Sequence, residues 1–444
     1  MPAWKGPVAH AASHGRGIGA DGALQRVARR PATHRRGMKG RNANMRQGLV
    51  EGAPKFSVQE RDLRWLKVRK LMAEARLDAI FVPPNTGLWD HFQANVRYLT
   101  GIGGNCSQAA CVFPLTGEVT AITSPDVHKD FWLQRQDWVT DIRPIDTGWG
   151  YTQMSIDRLR ELGLDRARIG VTGLAGNTRF PEGITPAGIL DGLVRALPAA
   201  EIVDANLLME RARFVKSTEE LAFLRKAEEL VEASVDVLLR EARPGVPENV
   251  VYARMLADMV ERGGEVPTMI LWSAGWPQPP SAQYMPSLRP LRSGDLISVE
   301  AEARWAGYVA QNTQPVFLGR APDIYRELFH RQQEAIERCY EALRPGATVG
   351  GISDIVAALS DERFWCSLIM HGRGLGDDAP INIHKPRDAT MRDWRIEANA
   401  TFIVKPMIQT HDGAQRLYWG DTVVVGENGA ERLGKRAAEL IEIS

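Results

Sequence analysis

Leu63, Leu66, Val68, Leu71, Met72 and Leu77 recur at helical spacing through VQERDLRWLKVRKLMAEARL, which predicts a helix from Val58 to about Leu77 with those residues as its buried stripe. The run Asp78-Ala-Ile-Phe-Val-Pro follows as a short buried strand, closed by Pro83-Pro84-Asn85. AACVFPLTGEVTAIT, residues 109 to 123, reads as a hairpin turned at Leu115-Thr116-Gly117, and RIGVTGLAG, residues 168 to 176, as a further strand. SIDRLRELGL and GILDGLVRAL supply helices between them, so the first half has the alternation of an α/β domain.

The second half changes pattern. A long amphipathic helix starts at Ser217-Thr-Glu-Glu, where Ser217 or Thr218 can cap the free N–H groups, and Leu221, Leu224, Ala227, Leu230, Val231 and Val235 form its apolar stripe. It breaks at Pro244-Gly245. A second helix is expected from Asn249 to Arg262, a strand pair from Asp295 to Phe317, a third helix from Ile324 to Leu343 and a fourth from Val349 to Leu359. Strands near 401 to 408 and 421 to 426 complete an α+β pattern of helices and antiparallel strand pairs. The expected organisation is a basic tail over 1–55, disordered or a mis-assigned start, an α/β domain over 56–210 and an α+β domain over 211–444.

Charge changes the picture only when it is divided. The net charge is +1, yet residues 1 to 50 carry ten Lys and Arg against Asp21 alone, leaving 45 basic and 53 acidic residues in the remainder. A mildly acidic body argues against a nucleic-acid partner. Cys106, Cys111, Cys339 and Cys366 follow no CxxC or Cys/His pattern, so neither a disulfide framework nor a zinc site is indicated. No apolar run reaches transmembrane length, and no membrane partner is expected. These features together fit a cytoplasmic protein.

Several anchors share an order and spacing: RARFVKSTEELAFLRKAEEL, Gly294-Asp295-Leu296, Gly307-Tyr308, His371-Gly372-Arg373-Gly374, Lys405-Pro406 and Gly420-Asp421-Thr422. Through them residues 58 to 444 resemble the creatinase, prolidase and aminopeptidase P superfamily. The resemblance implies a creatinase-like α/β N-terminal domain followed by an α+β pita-bread domain, and a homodimer. In metal-dependent members two Asp, one His and two Glu clamp two divalent ions, because hard cations take anionic oxygen ligands and paired metals need bridging groups. The corresponding residues here are Glu300, Gln311, His371, Lys405 and Gly420. The family's substrate-facing His corresponds to Gln283, followed by Tyr284, and the second His of its HGxGxxxHExP motif to Asp378.

An ammonium a few ångströms from a dication is repelled by several kcal/mol even at an effective dielectric of about 20. No metal and no cofactor are therefore expected, with Lys405 filling the vacated space and pairing with Glu300. The candidate catalytic residues are His371, Glu300, Lys405 and Asp377, the last resembling the acid that dimethylsulfoniopropionate lyases of this family place after the motif histidine. Gln311, Gln283, Tyr284, Arg373 and Asp378 are candidate substrate contacts. Histidine suits proton transfer near neutral pH, and a charged group on an apolar strand such as Phe402-Ile403-Val404 needs a partner. Trp305, Phe364, Trp365, Tyr418 and Trp419 are read as core. The expected activity is metal-independent hydrolysis of a carbon–nitrogen bond in a small amide, amidine or guanidino-like compound. A lyase that removes a proton and expels a leaving group, and a non-catalytic relative that binds a ligand, are the alternatives.

Overall fold

The computed structural model describes residues 53–84, 93–104, 108–124, 127–145, 150–174, 180–276 and 285–444. All but the end of the basic tail expected over 1–55 lies outside the described residues, as do Gln283 and Tyr284.

Ser57 opens the first helix, α1 (Val58–Glu74), by accepting a hydrogen bond from the Glu60 amide. The buried face of α1 keeps Val68 and Met72 of the expected stripe, but Leu63 and Leu66 are 59% and 70% exposed, and Glu60 and Arg64 point inward instead. The cause is an aromatic box. The Arg64 guanidinium lies over Phe56, Tyr98 and Trp138 at 4.3, 4.8 and 5.0 Å, takes Glu60 at 2.6 Å and donates to the Tyr308 hydroxyl at 2.9 Å. A buried, paired and stacked arginine thus displaces leucines from the inside of the helix.

The chain continues through β1 (Ala79–Val82), α2 (Ala94–Thr100), β2 (Ala109–Pro114), β3 (Thr120–Thr123), α3 (Val127–Arg135), β4 (Asp141–Pro144), α4 (Tyr151–Glu161), β5 (Arg168–Val171), α5 (Ala187–Ala196), β6 (Glu201–Asp204) and α6 (Asn206–Phe214). These strands form a mixed sheet in the order β4-β3-β2-β1-β5-β6, with β2 and β3 making the expected antiparallel hairpin. The β5 pairings to β1 and β6 are parallel, as helical crossovers require.

Helix α7 (Thr218–Glu241) begins with a capping box: Ser217 accepts from the Glu220 amide and Glu220 accepts from the Ser217 amide. Its expected stripe is buried. Then come α8 (Glu248–Glu261), β7 (Ile270–Gly275), β8 (Leu296–Trp305), β9 (Tyr308–Leu318), α9 (Asp323–Ala342), α10 (Val349–Ala357), β10 (Phe364–Arg373), β11 (Asp377–Pro386), α11 (Ala389–Arg392), β12 (Thr401–Thr410), β13 (Arg416–Tyr418), β14 (Asp421–Val425), β15 (Ala430–Arg432) and β16 (Ile441–Ile443). Among the described residues they build two curved sheets, β16-β9-β8-β7 and β11-β10-β12-β14-β15, with β13 paired to β12. Thr313 and Gly420 exchange backbone hydrogen bonds of 2.9 and 3.3 Å and join the two.

Helices α7 and α8 cover one sheet over Leu230, Val231, Met255, Ile297 and Val299, and α9 and α10 cover the other over Leu328, Ile352, Leu368, Met370 and Val404. Each helix pair buries an apolar sheet face, which frees the opposite faces to enclose a cavity.

Candidate functional site

Strands β10 and β12 run antiparallel with Ile369 opposite Lys405, Ser367 opposite Met407 and Trp365 opposite Gln409. Side chains alternate along a strand, so when Leu368, Met370, Val404 and Ile408 enter the core, the odd-numbered residues must face the other way. Trp365, Ile369, His371, Lys405, Met407 and Gln409 accordingly line a cavity of about 670 Å³, closed on its far side by Leu271 and Glu300 of the other sheet. Its size suits a small organic ligand.

Glu300 and Lys405 meet across this cavity. Lys405 Nζ donates to Glu300 Oε2 at 2.6 Å, Gln311 Nε2 donates to the same oxygen at 2.8 Å, and the Tyr418 hydroxyl bonds the carboxylate as well. Burial pushes the Glu300 carboxyl up, but the Lys405 charge, its hydrogen bond and that of Tyr418 outweigh burial and hold it below the usual glutamate value. Burial and the adjacent Glu300 charge raise the Tyr418 phenol well above its ordinary range, so it stays a neutral donor.

Lys405 fits because residue 420 is glycine. A Cβ added to Gly420 would stand 2.3 Å from Lys405 Cγ and 2.8 Å from the Val404 carbonyl oxygen. Gly420→Ala is therefore expected to cost about 1–3 kcal/mol of stability through overpacking. A lowered urea midpoint with an unchanged denaturant slope checks it.

His371 sits beside a β-bulge between His371 and Gly372, which reorients the chain as it leaves the sheet. Its Nδ1 bonds Asp377 Oδ1. A carboxylate only accepts, so Nδ1 carries the proton and the basic lone pair falls on Nε2. Asp377 is held in turn by Arg373 Nη1 at 3.4 Å, and Arg373 pairs through Nη2 with the fully buried Glu302. Burial raises the Glu302 carboxyl in spite of Arg373.

Glu300, His371, Lys405 and Asp377 are thus brought to one cavity, with Gln311 bonded to Glu300. Arg373 and Asp378 are not in its wall. Arg373 is fully buried behind Asp377, and Asp378 turns to Arg213, accepting at 3.1 and 2.9 Å. The bulge after His371 is what separates Asp378 from the cavity face. Two aromatics depart from the expected core: Trp365 and Tyr418 line the cavity, whereas Phe364 and Trp419 are buried among core residues. Strand parity sorts them, since 365 shares the parity of His371 and 418 that of Arg416, which also lines the cavity. His384, Arg416 and Gln409 are cavity residues that the motifs did not disclose.

Residues 64–215 match the creatinase/prolidase N-terminal domain and residues 222–427 the metallopeptidase family M24. The chain is 26% identical over 262 residues to the Xaa-Pro dipeptidase of Pyrococcus furiosus, covering 59% of this chain and 74% of that protein. It is 24% identical over 263 residues to the ectoine hydrolase of Halomonas elongata, covering 56% of this chain and 65% of that protein. It is 29% identical over 265 residues to the dimethylsulfoniopropionate lyase DddP of Roseobacter denitrificans, covering 56% of this chain and 58% of that protein. The solved Xaa-Pro dipeptidase from Bacillus anthracis superimposes with a TM-score of 0.69 at 19% identity, covering 86% of this chain and all of that one.

A metallopeptidase family implies a metal centre, and the residues present do not fit a pair of divalent ions. Glu300 is tied to an ammonium at 2.6 Å, Gln311 offers a neutral amide, residue 420 has no side chain, and His371 is bonded to Asp377. Among the described residues no three His, Cys, Asp or Glu side chains gather as a metal-holding group. A site for hard dications needs several anionic oxygens, and here Glu300 already has its cation in Lys405 while Asp377 is taken by His371 and Arg373. The two-domain architecture is that of the solved prolidases: a creatinase-type N-terminal domain is followed by an M24 pita-bread domain.

Proposed function

We propose that this protein hydrolyses a carbon–nitrogen bond in a small amide, amidine or guanidino-like compound, using side chains in place of a metal pair. The observation that carries the proposal is the Lys405–Glu300 pair facing the His371–Asp377 pair within one cavity. Asp377 orients His371 so that Nε2 takes a proton from an attacking water. As the water oxygen bonds the carbon, the electron pair moved onto the carbonyl oxygen of an amide, or onto the nitrogen of an amidine, is met by Lys405. An ammonium has three N–H donors and Glu300 takes one, so others serve the developing charge. The proton on His371 then passes to the departing nitrogen, the carbon–nitrogen bond breaks, and His371 returns to its neutral form. Gln311, fully buried behind the cavity wall, serves the site through its hydrogen bond to Glu300.

The ectoine hydrolase resemblance supports hydrolysis. The resemblance to dimethylsulfoniopropionate lyase, together with an acid at Asp377, supports elimination as a second reading, in which His371 or Asp377 removes a proton and Lys405 holds the substrate's negative charge. Turnover of a compound panel in ¹⁸O-labelled water separates the two. Hydrolysis places one labelled oxygen in the product at the cleaved carbon, whereas an unlabelled product with a new carbon–carbon double bond would replace the hydrolase reading.

A further inference from the structure

His384 lies in the cavity wall although no motif announces it. It occupies β11, where consecutive side chains should face opposite ways, yet Ile383 and His384 both line the cavity. The reason is a left-handed backbone, with φ of 64° at His384, a conformation that costs a non-glycine residue of order 1–3 kcal/mol. That conformation turns the imidazole onto the cavity side, where its ring packs tilted at 46° against Trp365, with centroids 5.5 Å apart, and its Nδ1 lies 2.9 Å from Ser367 Oγ.

Hydrogen-bond accounting fixes the tautomer. Ser367 is buried, and among the described residues His384 Nδ1 is the one partner its hydroxyl has. If Nδ1–H donated to the serine, the hydroxyl proton would be left buried and unpaired, which costs about 1–3 kcal/mol. The hydroxyl therefore donates to Nδ1, and the ring proton resides on Nε2. Burial also holds the imidazole below its ordinary pKa, so it is neutral at pH 7.

We propose that His384, fixed by Ser367 and Trp365, presents its Nε2–H to the cavity as a neutral hydrogen-bond donor to an acceptor oxygen of the substrate. Ile369 faces Lys405 across one strand pair while Leu368 faces His384 across the other, so the donor and the Lys405 ammonium flank β10 at nearly the same level. An oxygen-bearing substrate held by His384 at one side would present its carbon to His371, which lies three residues further along β10, about 10 Å at strand spacing. The substrate class narrows to amides or amidines that carry an additional carboxylate or carbonyl oxygen, a narrowing that rests on the hydrolase reading. The assignment of the donor itself does not.

Long-range ¹H–¹⁵N correlation spectra of the full-length protein at pH 7 read the tautomer without any substrate. We expect His384 to show a protonated Nε2 and an unprotonated Nδ1, and Ser367→Ala to mix the tautomers. A wild-type ring protonated at Nδ1, or at both nitrogens, overturns the proposal. Turnover gives the second reading. His384→Asn keeps an N–H donor and tolerates the left-handed backbone, whereas His384→Ala removes the donor. KM for the best substrate of the panel should rise about 10-fold or more in the alanine variant, as for loss of about 1.4 kcal/mol of binding, with kcat nearly unchanged and asparagine restoring much of the loss. An alanine variant with wild-type KM would also refute the substrate contact. If no compound of the panel is hydrolysed but the spectra show the Nε2–H form, the hydrolase reading fails and the assignment of the donor stands.

Discussion

Lys405→Met is expected to abolish turnover and to lower folding stability by about 3–5 kcal/mol, because it leaves the Glu300 carboxylate buried without its cation. Most of that cost belongs to the stranded charge. Replacing both residues, as Lys405→Met with Glu300→Leu, should therefore recover stability while leaving the protein inactive. Urea unfolding of the two variants gives the comparison, and a double variant no more stable than the single one would remove the pairing argument. The sign of the pH dependence follows from Glu300, whose carboxyl lies below its ordinary value of 4.5 in the folded protein. A depressed carboxyl contributes stability that is present above the unfolded value and lost as pH falls through the folded one. The stability gap between wild type and Lys405→Met should consequently be full at neutral pH and close as pH drops below 4.5.

His371→Ala carries the second large effect. General acid–base catalysis by a positioned imidazole contributes about 10²–10⁴-fold, and turnover should fall by that factor. The fold should survive, since His371 faces the cavity rather than the helices. Asp377→Asn leaves the ring in place but no longer secures the Nδ1–H tautomer, so it should reduce kcat strongly with little change in KM. Circular dichroism and steady-state kinetics on the same preparations check both. An alanine variant with unchanged kcat would take proton transfer away from His371.

How much of this was legible before the structure depends on what each residue was answering to. The helix cap, expected at Ser217 or Thr218, falls on Ser217, and the α7 stripe is buried as its local spacing predicts. Glu300 and Lys405 could be singled out because they stand at ligand positions implied by the family resemblance, and a charge on an apolar strand demands a partner from elsewhere in the chain. The inside of α1 could be read only in part, at Val68 and Met72. Leucines and Arg64 share one helical period there, and which of them turns inward is decided by Phe56, Tyr98, Trp138 and Tyr308, which come from distant segments.

The same limit hid half of the cavity. HGRGLGDD offers no alternation of apolar and polar residues, so β10 and β11 were not foreseen as strands, and without them the parity that exposes Trp365 was missing. Arg373 and Asp378 stood beside the motif histidine in sequence, yet their shortest ion pairs are with Glu302 and Arg213, far away along the chain. His384 is the clearest case, since its place in the wall follows from a positive φ at a residue other than glycine.

Elemental analysis of chelator-treated, catalytically active protein tests the account most directly. With Lys405 bound to Glu300 and only a neutral amide at Gln311, we expect far less than one divalent metal per chain and turnover that neither falls on chelation nor rises on adding manganese, cobalt or zinc. About two tightly held metals per chain, with activity that disappears on their removal and returns with them, would contradict it.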